Sequence, residues 1–162
     1  MALISLKKNV IFYRLAFTFF AGFLAPVFIQ NCQALEYRSV AISKTVMLDG
    51  PSASANKLYI VSLGYPVEVI VNLGDWLKVR DPQGGLNWIE AKALAAKRTV
   101  LVTVNHAEIK QAADAQSSLL ATVDKDVVLD LLESNPKNGW LKIHHRDGVT
   151  GYIQNTSVWG AN

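Results

Sequence analysis

One short unit is written twice in this chain. Gly74-Asp75-Trp76-Leu77-Lys78-Val79 returns as Asn138-Gly139-Trp140-Leu141-Lys142-Ile143, with the two tryptophans 64 residues apart. Trp88-Ile89 follows Trp76 by twelve residues, and Tyr152-Ile153 follows Trp140 by twelve. Each copy reads as strand, polar turn and strand, which is a β-hairpin. In the first copy Leu77 and Val79 point to one face, and Trp76, Lys78 and Arg80 to the other. Upstream, Val127, Leu129 and Leu131 align with Val67, Val69 and Val71 at an offset of 60. The loop 133–138 then holds four extra residues, a small cost because closure entropy grows only with the logarithm of length.

The flanking sequence extends the pattern. Strands are predicted at 40–42, 45–48, 58–61, 67–71, 76–80 and 86–89, with turn signals at Asp49-Gly50-Pro51-Ser52 and Gly64-Tyr65-Pro66. Short strands joined by Gly/Pro turns predict a small barrel. The Ala-rich stretch 91–97 is expected to be a connector with one helical turn. The β-branched run 99–104 opens the second unit. There, 109–120 replaces the Gly-Pro turn with Gln111-Ala112-Ala113 and is the most diverged part. Any sites in these two loops are therefore not equivalent.

The first 34 residues have a different character. Three of the sixteen basic residues (Lys7, Lys8, Arg14) lie there with none of the thirteen acidic ones, so the rest of the chain is balanced at thirteen of each. The apparent net charge of +3 is thus no argument for nucleic acid. Lys7 and Lys8 precede an apolar run over 15–29, and Cys32-Gln33-Ala34 ends it with small residues, the order of a secretory signal. That core is shorter than the roughly 18–20 residues that cross a bilayer. Cleavage near Ala34 and export are expected, with no stable membrane span in the mature form. Cys32 is the one cysteine. A mature chain beginning after Ala34 has no disulfide, cysteine nucleophile or cysteine–metal site.

With these residues in view, the chain resembles the bacterial SH3 domains, as a tandem pair. The Asp49-Gly50-Pro51-Ser52 loop, the Gly74 to Val79 motif, its copy at Gly139 to Ile143 and the Gly151-Tyr152-Ile153 ending carry the resemblance. It implies an all-β fold: two five-stranded SH3-like barrels behind a signal-peptide helix, at 1–34 (signal), 35–98 and 99–162. It also implies a periplasmic or extracellular role in the cell envelope, often contact with peptidoglycan or a partner protein, and no catalysis by the module. Ala93 and Ser157 hold places where eukaryotic SH3 domains carry proline-reading aromatics, which argues against proline-peptide recognition. Asn87 stands where a glycine ordinarily precedes the aromatic, so the start of that strand is expected to be distorted.

Candidate sites are few. Tyr59, Tyr65, Trp76 and Trp88 are proposed to line one ligand groove on the first barrel, since rigid aromatics stack on sugars or cover peptides. The competing reading, which carries more weight for Trp76 and Trp140 and applies also to Trp88 and Tyr152, is a cover over their own barrel or filler between the units. His144 and His145, with Asp147, are adjacent on a strand and point apart, so they cannot jointly chelate one ion; a solvated hairpin end is expected. Asp124-Lys125-Asp126 reads as a charged turn. No nucleophile–base pattern, phosphate loop or carboxylate pair stands out, and no cofactor or metal is expected. The function expected is a non-catalytic envelope binding module, with a cell-wall hydrolase or its accessory subunit as the alternative. A connector without a flexible Gly/Ser stretch predicts that the two units share an interface.

Overall fold

Leu77, Val79 and Ile89 are fully buried, while Trp76, Lys78 and Trp88 beside them are half-exposed. This two-residue period makes the first hairpin one wall of a core. The computed structural model describes residues 35–161. The leader expected over 1–34 lies outside the described residues.

The first unit consists of β1 (Glu36–Val40), β2 (Lys44–Leu48), β3 (Lys57–Ser62), β4 (Pro66–Asn72), β5 (Trp76–Arg80), β6 (Leu86–Glu90) and β7 (Leu94–Ala95). The second consists of β8 (Thr99–Val102), β9 (Ala107–Lys110), β10 (Leu119–Val123), β11 (Val128–Lys137), β12 (Trp140–His144), β13 (Thr150–Gln154) and β14 (Val158–Trp159). They form two antiparallel sheets of seven strands with identical topology, β3-β2-β6-β5-β4-β1-β7 and β10-β9-β13-β12-β11-β8-β14. Each sheet wraps its own core. Val40, Met47, Val67, Leu77, Val79 and Ile89 fill one. Val100, Ile109, Leu129, Leu141, Ile143 and Ile153 fill the other. The fold is the expected all-β pair of SH3-like barrels, with short segments raising each sheet to seven strands.

Several local expectations need correction. The first strand is Glu36–Val40, and residues 41–43 form the bend after it, not a strand over 40–42. The segment 91–97 holds a 3-10 turn, Ala91–Ala93, and then the closing strand β7. The repeat offset before the hairpins is 62, not 60. Val40 N–H donates to the Tyr65 carbonyl, and Val102 N–H to the Val127 carbonyl, which equates Val67 with Leu129. A two-residue slip leaves every side chain on its own face, so alternation alone could not reveal it. The residues 133–137 belong to strand β11, not to a loop, and the hairpin closes through Asn138 (φ 51°) and Gly139 (φ 82°). An Asn-Gly pair with both φ positive is the turn whose twist matches its flanking strands. Finally, β6 keeps an unbroken register against β5 through Asn87, so the strand is not distorted there.

The barrels meet across a three-residue link, 96–98, and a packed junction. The Tyr37 ring of β1 stands edge-on to Trp159 of β14, centroids 5.3 Å apart. Arg98 lies over the Tyr37 ring at 5.1 Å and donates to the Gly160 carbonyl at 2.9 Å. The Ser39 and Thr99 hydroxyls are buried against each other. Two glycines set the approach. A Cβ on Gly64 (φ 81°) would lie 3.1 Å from Val128 Cγ1, and one on Gly160 (φ 106°) 3.1 Å from Pro66 Cβ. Both also hold left-handed backbone, which glycine adopts without steric cost. The predicted interface between units is therefore present.

Candidate functional site

The β5–β6 turn is held by Asp81. Its Oδ1 accepts from the backbone N–H groups of Gln83 (2.9 Å) and Gly85 (2.8 Å), fixing the chain as it reverses. Its Oδ2 accepts from the Tyr59 hydroxyl at 2.5 Å, and Asn87 Nδ2 donates to the Tyr59 oxygen at 2.7 Å. Asn87 therefore fills a space inside the barrel instead of bending its strand. Burial and the Asp81 carboxylate raise the Tyr59 phenol well above its ordinary pKa. Tyr65 donates to Gln83 Oε1 at 3.1 Å, and its phenol is pushed up to about 12, mainly by burial. One turn thus positions two of the four proposed aromatics.

The second barrel replaces this cluster. His145 takes the place of Asp81: its N–H donates to the Val149 carbonyl as that of Asp81 does to Gly85. Strand registers equate Tyr59 with Ala121 and Asn87 with Gly151. A Cβ on Gly151 would lie 2.6 Å from the Lys110 carbonyl oxygen, so here the strands close on each other without a polar filler. The two barrels share a fold but not a side-chain cluster at this turn.

Tyr59 and Tyr65 line a cleft of about 430 Å³ between the barrels, whose opposite wall is Leu101, Asp126 and Val128. A larger cavity of about 820 Å³ shares Ser62, Leu63, Asp126 and Val128 with it and reaches Lys97, Asp130 and Arg146. Lys97 and Asp130 pair with each other at 2.8 Å. Arg146 is largely exposed, 4.0 Å from Asp147. Asp126 makes no ion pair among the described residues and holds a left-handed backbone (φ 68°) at the position that Gly64 occupies in the first barrel.

Trp76 and Trp88 are not among the residues lining this cleft. They lie on the outer face of the β5–β6 hairpin, half-buried, with Trp76 opposite Glu90 and Trp88 opposite Lys78. The Lys78 ammonium lies 6.0 Å from the Trp88 ring centroid. The four aromatics therefore divide into a cleft pair and an outer-face pair. His144 and His145 both line the larger cavity; His144 Nδ1 is 2.9 Å from Thr150 Oγ1, and the His145 side chain is only 14% exposed, 3.4 Å from Asp147. The turn is solvated as expected at Arg146 and Asp147, whose side chains are 89% and 74% exposed, while His145 at its start is tucked in. No group of three or more metal-ligating side chains occurs among the described residues, and none of their helices is long and apolar enough to cross a membrane.

The sequence did not point to Asp126, Val128 or Arg146 as cleft residues. The available signal was the correspondence of Gly64-Tyr65 with Asp126-Val127, hidden by the two-residue slip in offset. Only the docking of the barrels brings these two corners together.

No protein of curated function matches the sequence. Among solved structures it is similar to NlpC2 and NlpC1 from Trichomonas vaginalis and to an NlpC/P60 family protein from Bacillus cereus ATCC 10987, each at 17% identity. The matches cover 78%, 79% and 76% of this chain and 48%, 46% and 55% of those proteins, with TM-scores of 0.35, 0.33 and 0.34. The chain spans about half the length of these proteins, and scores at this level carry no functional argument. The family model is specific where they are not. The bacterial SH3 domain matches residues 43–95 and again 103–160, one copy in each sheet, and the chain belongs to that family.

Proposed function

We propose that this chain is a non-catalytic binding module of the cell envelope and that it contacts peptidoglycan. The observation that carries this reading is the pair of bacterial SH3 domains packed so that a cleft lined by both lies between them. The charge, apolar run and small residues of the first 34 positions support export. Within this reading Tyr59 and Tyr65 are the aromatic part of the ligand site. Trp76 and Trp88 cover their own hairpin, as their half-burial and the Lys78–Trp88 contact favour.

Co-sedimentation with purified peptidoglycan tests this. The protein is expected in the pellet, with Tyr65→Ala weakening the association and Trp76→Ala leaving it intact. Retention in the supernatant, or clearing of peptidoglycan in a zymogram, contradicts the reading.

A further inference from the structure

The cleft has an unusual wall. Tyr59, Ile60, Val61, Ser62 and Leu63 all line it, the last four residues of β3 and the one that follows. Successive strand residues point to opposite faces, so a cavity touched by four in a row runs along the strand's backbone edge. That edge is open: β3 ends its sheet and pairs only with β2 among the described residues. Edge strands are ordinarily guarded by charge, proline or a covering segment. Residues 58–63 contain no charge and no proline, and Ile60 and Leu63 are 64% and 61% exposed.

Resting on the reading of a wall-binding module, we infer that the ligand is a short, extended peptide of the cell wall that adds to β3 as an extra strand. A peptide repeats its N–H and C=O groups at the strand spacing of about 3.3 Å, which a glycan chain does not. Four residues of strand edge accommodate a peptide of about four residues at that spacing. The fixed charges set its chemistry. Lys97 and Asp130 neutralise each other, which leaves Asp126 beside the narrow cleft and, on the larger cavity, an 89% exposed Arg146 whose one ion pair among the described residues is a 4.0 Å contact with Asp147. Such an arrangement suits a peptide with an ammonium group towards Asp126 and a carboxylate towards Arg146. The alternating side chains of the peptide would then lie against Tyr65 and Val128.

The test uses peptides released from purified peptidoglycan by an amidase and, separately, the peptide-free glycan strands. Each is titrated into the isotopically labelled protein while backbone amides are followed by NMR. The peptides are expected to shift the amides of residues 59–63 and 126–128 saturably, and the glycan to leave them unmoved. Asp126→Asn tolerates the left-handed backbone and removes only the charge. It should weaken peptide binding about tenfold, the scale of one charge-assisted contact, and Arg146→Gln similarly. Peptides that leave residues 59–63 unmoved, glycan strands that shift them instead, or undiminished binding in both variants overturns the inference. If the protein still sediments with whole peptidoglycan in that case, the wall-binding reading stands and only the peptide site fails.

Discussion

Thr99 Oγ1 lies 2.6 Å from Ser39 Oγ, two buried hydroxyls sixty residues apart on opposite barrels. The same Thr99 hydroxyl donates to the Gly64 carbonyl at 2.6 Å. A hydroxyl has one proton, and a carbonyl only accepts, so the proton between Ser39 and Thr99 belongs to Ser39. The order of donation, Ser39 to Thr99 to Gly64, ties β1, β8 and the turn before β4 at one point. Thr99→Val keeps the shape and removes both bonds, leaving the Gly64 carbonyl and the Ser39 hydroxyl without this partner. Urea unfolding should show a loss of about 1–3 kcal/mol. A loss below about 0.5 kcal/mol, the low end for one hydrogen bond, contradicts the role given to this residue.

Tyr37 and Trp159 make the aromatic half of the same junction, edge to face at 85°. A double-mutant cycle with Tyr37→Leu and Trp159→Leu should return a coupling of about 0.5–1.5 kcal/mol. Additive losses would mean that the rings pack only against their own barrels.

The Tyr59–Asp81–Asn87 cluster predicts a pH signature. Tyr59→Phe removes a donor from Asp81 and an acceptor from Asn87, and should cost about 1–2 kcal/mol near neutrality. Folding raises the phenol pKa values of Tyr59 and Tyr65 above 10.0, the latter to about 12. A raised folded-state pKa favours the protonated form, so this stabilisation is complete below pH 10 and is lost as pH rises towards the folded values. The wild type should lose stability between about pH 10 and 12, and Tyr59→Phe should lose less over that window. Chemical denaturation at stepped pH measures both, and equal slopes would show that Tyr59 does not titrate differently on folding.

Gly151 is the counterpart of Asn87 in a barrel with no polar cluster. An added Cβ meets the Lys110 carbonyl at 2.6 Å and Ile109 Cγ2 at 2.7 Å, both on a strand with little room to shift. Gly151→Ala should therefore destabilise the protein by about 1–3 kcal/mol, the cost of overpacking. Thermal unfolding reads this directly, and an unchanged midpoint would mean that the β9–β13 contact is looser than it stands here.

Much of this architecture is legible in the residues. Trp76 and Trp140 mark equivalent hairpins because a turn and two alternating strands leave a period that chance does not repeat. The Asn138-Gly139 turn is hidden inside the loop expected over 133–138, although few other pairs accept two positive φ values. What could not be read has physical causes as well. Pro136 and the polar run around it read as loop, since proline is excluded from central strands; the residues lie on the exposed outer part of β11, where proline is tolerated. The slip between Val127 and Leu129 as the counterpart of Val67 preserves the burial pattern and so leaves no trace in it. In the sequence Tyr59 and Tyr65 stand out by aromatic character alone. Their separation from Trp76 and Trp88, and the presence of Asp126 opposite them, depend on how the barrels dock, which no local pattern records.

The most direct test of a cleft made jointly by two barrels is to part them and leave each intact. Gly64→Asn does this, because asparagine accepts the left-handed turn while its side chain must displace Val128, which already lies 3.1 Å from a bare Cβ. Peptidoglycan co-sedimentation of this variant is the measurement, with near-UV circular dichroism to confirm that the barrel cores persist. Loss of sedimentation from a still-folded protein is the predicted result. Undiminished sedimentation would place recognition on a single barrel and contradict the account.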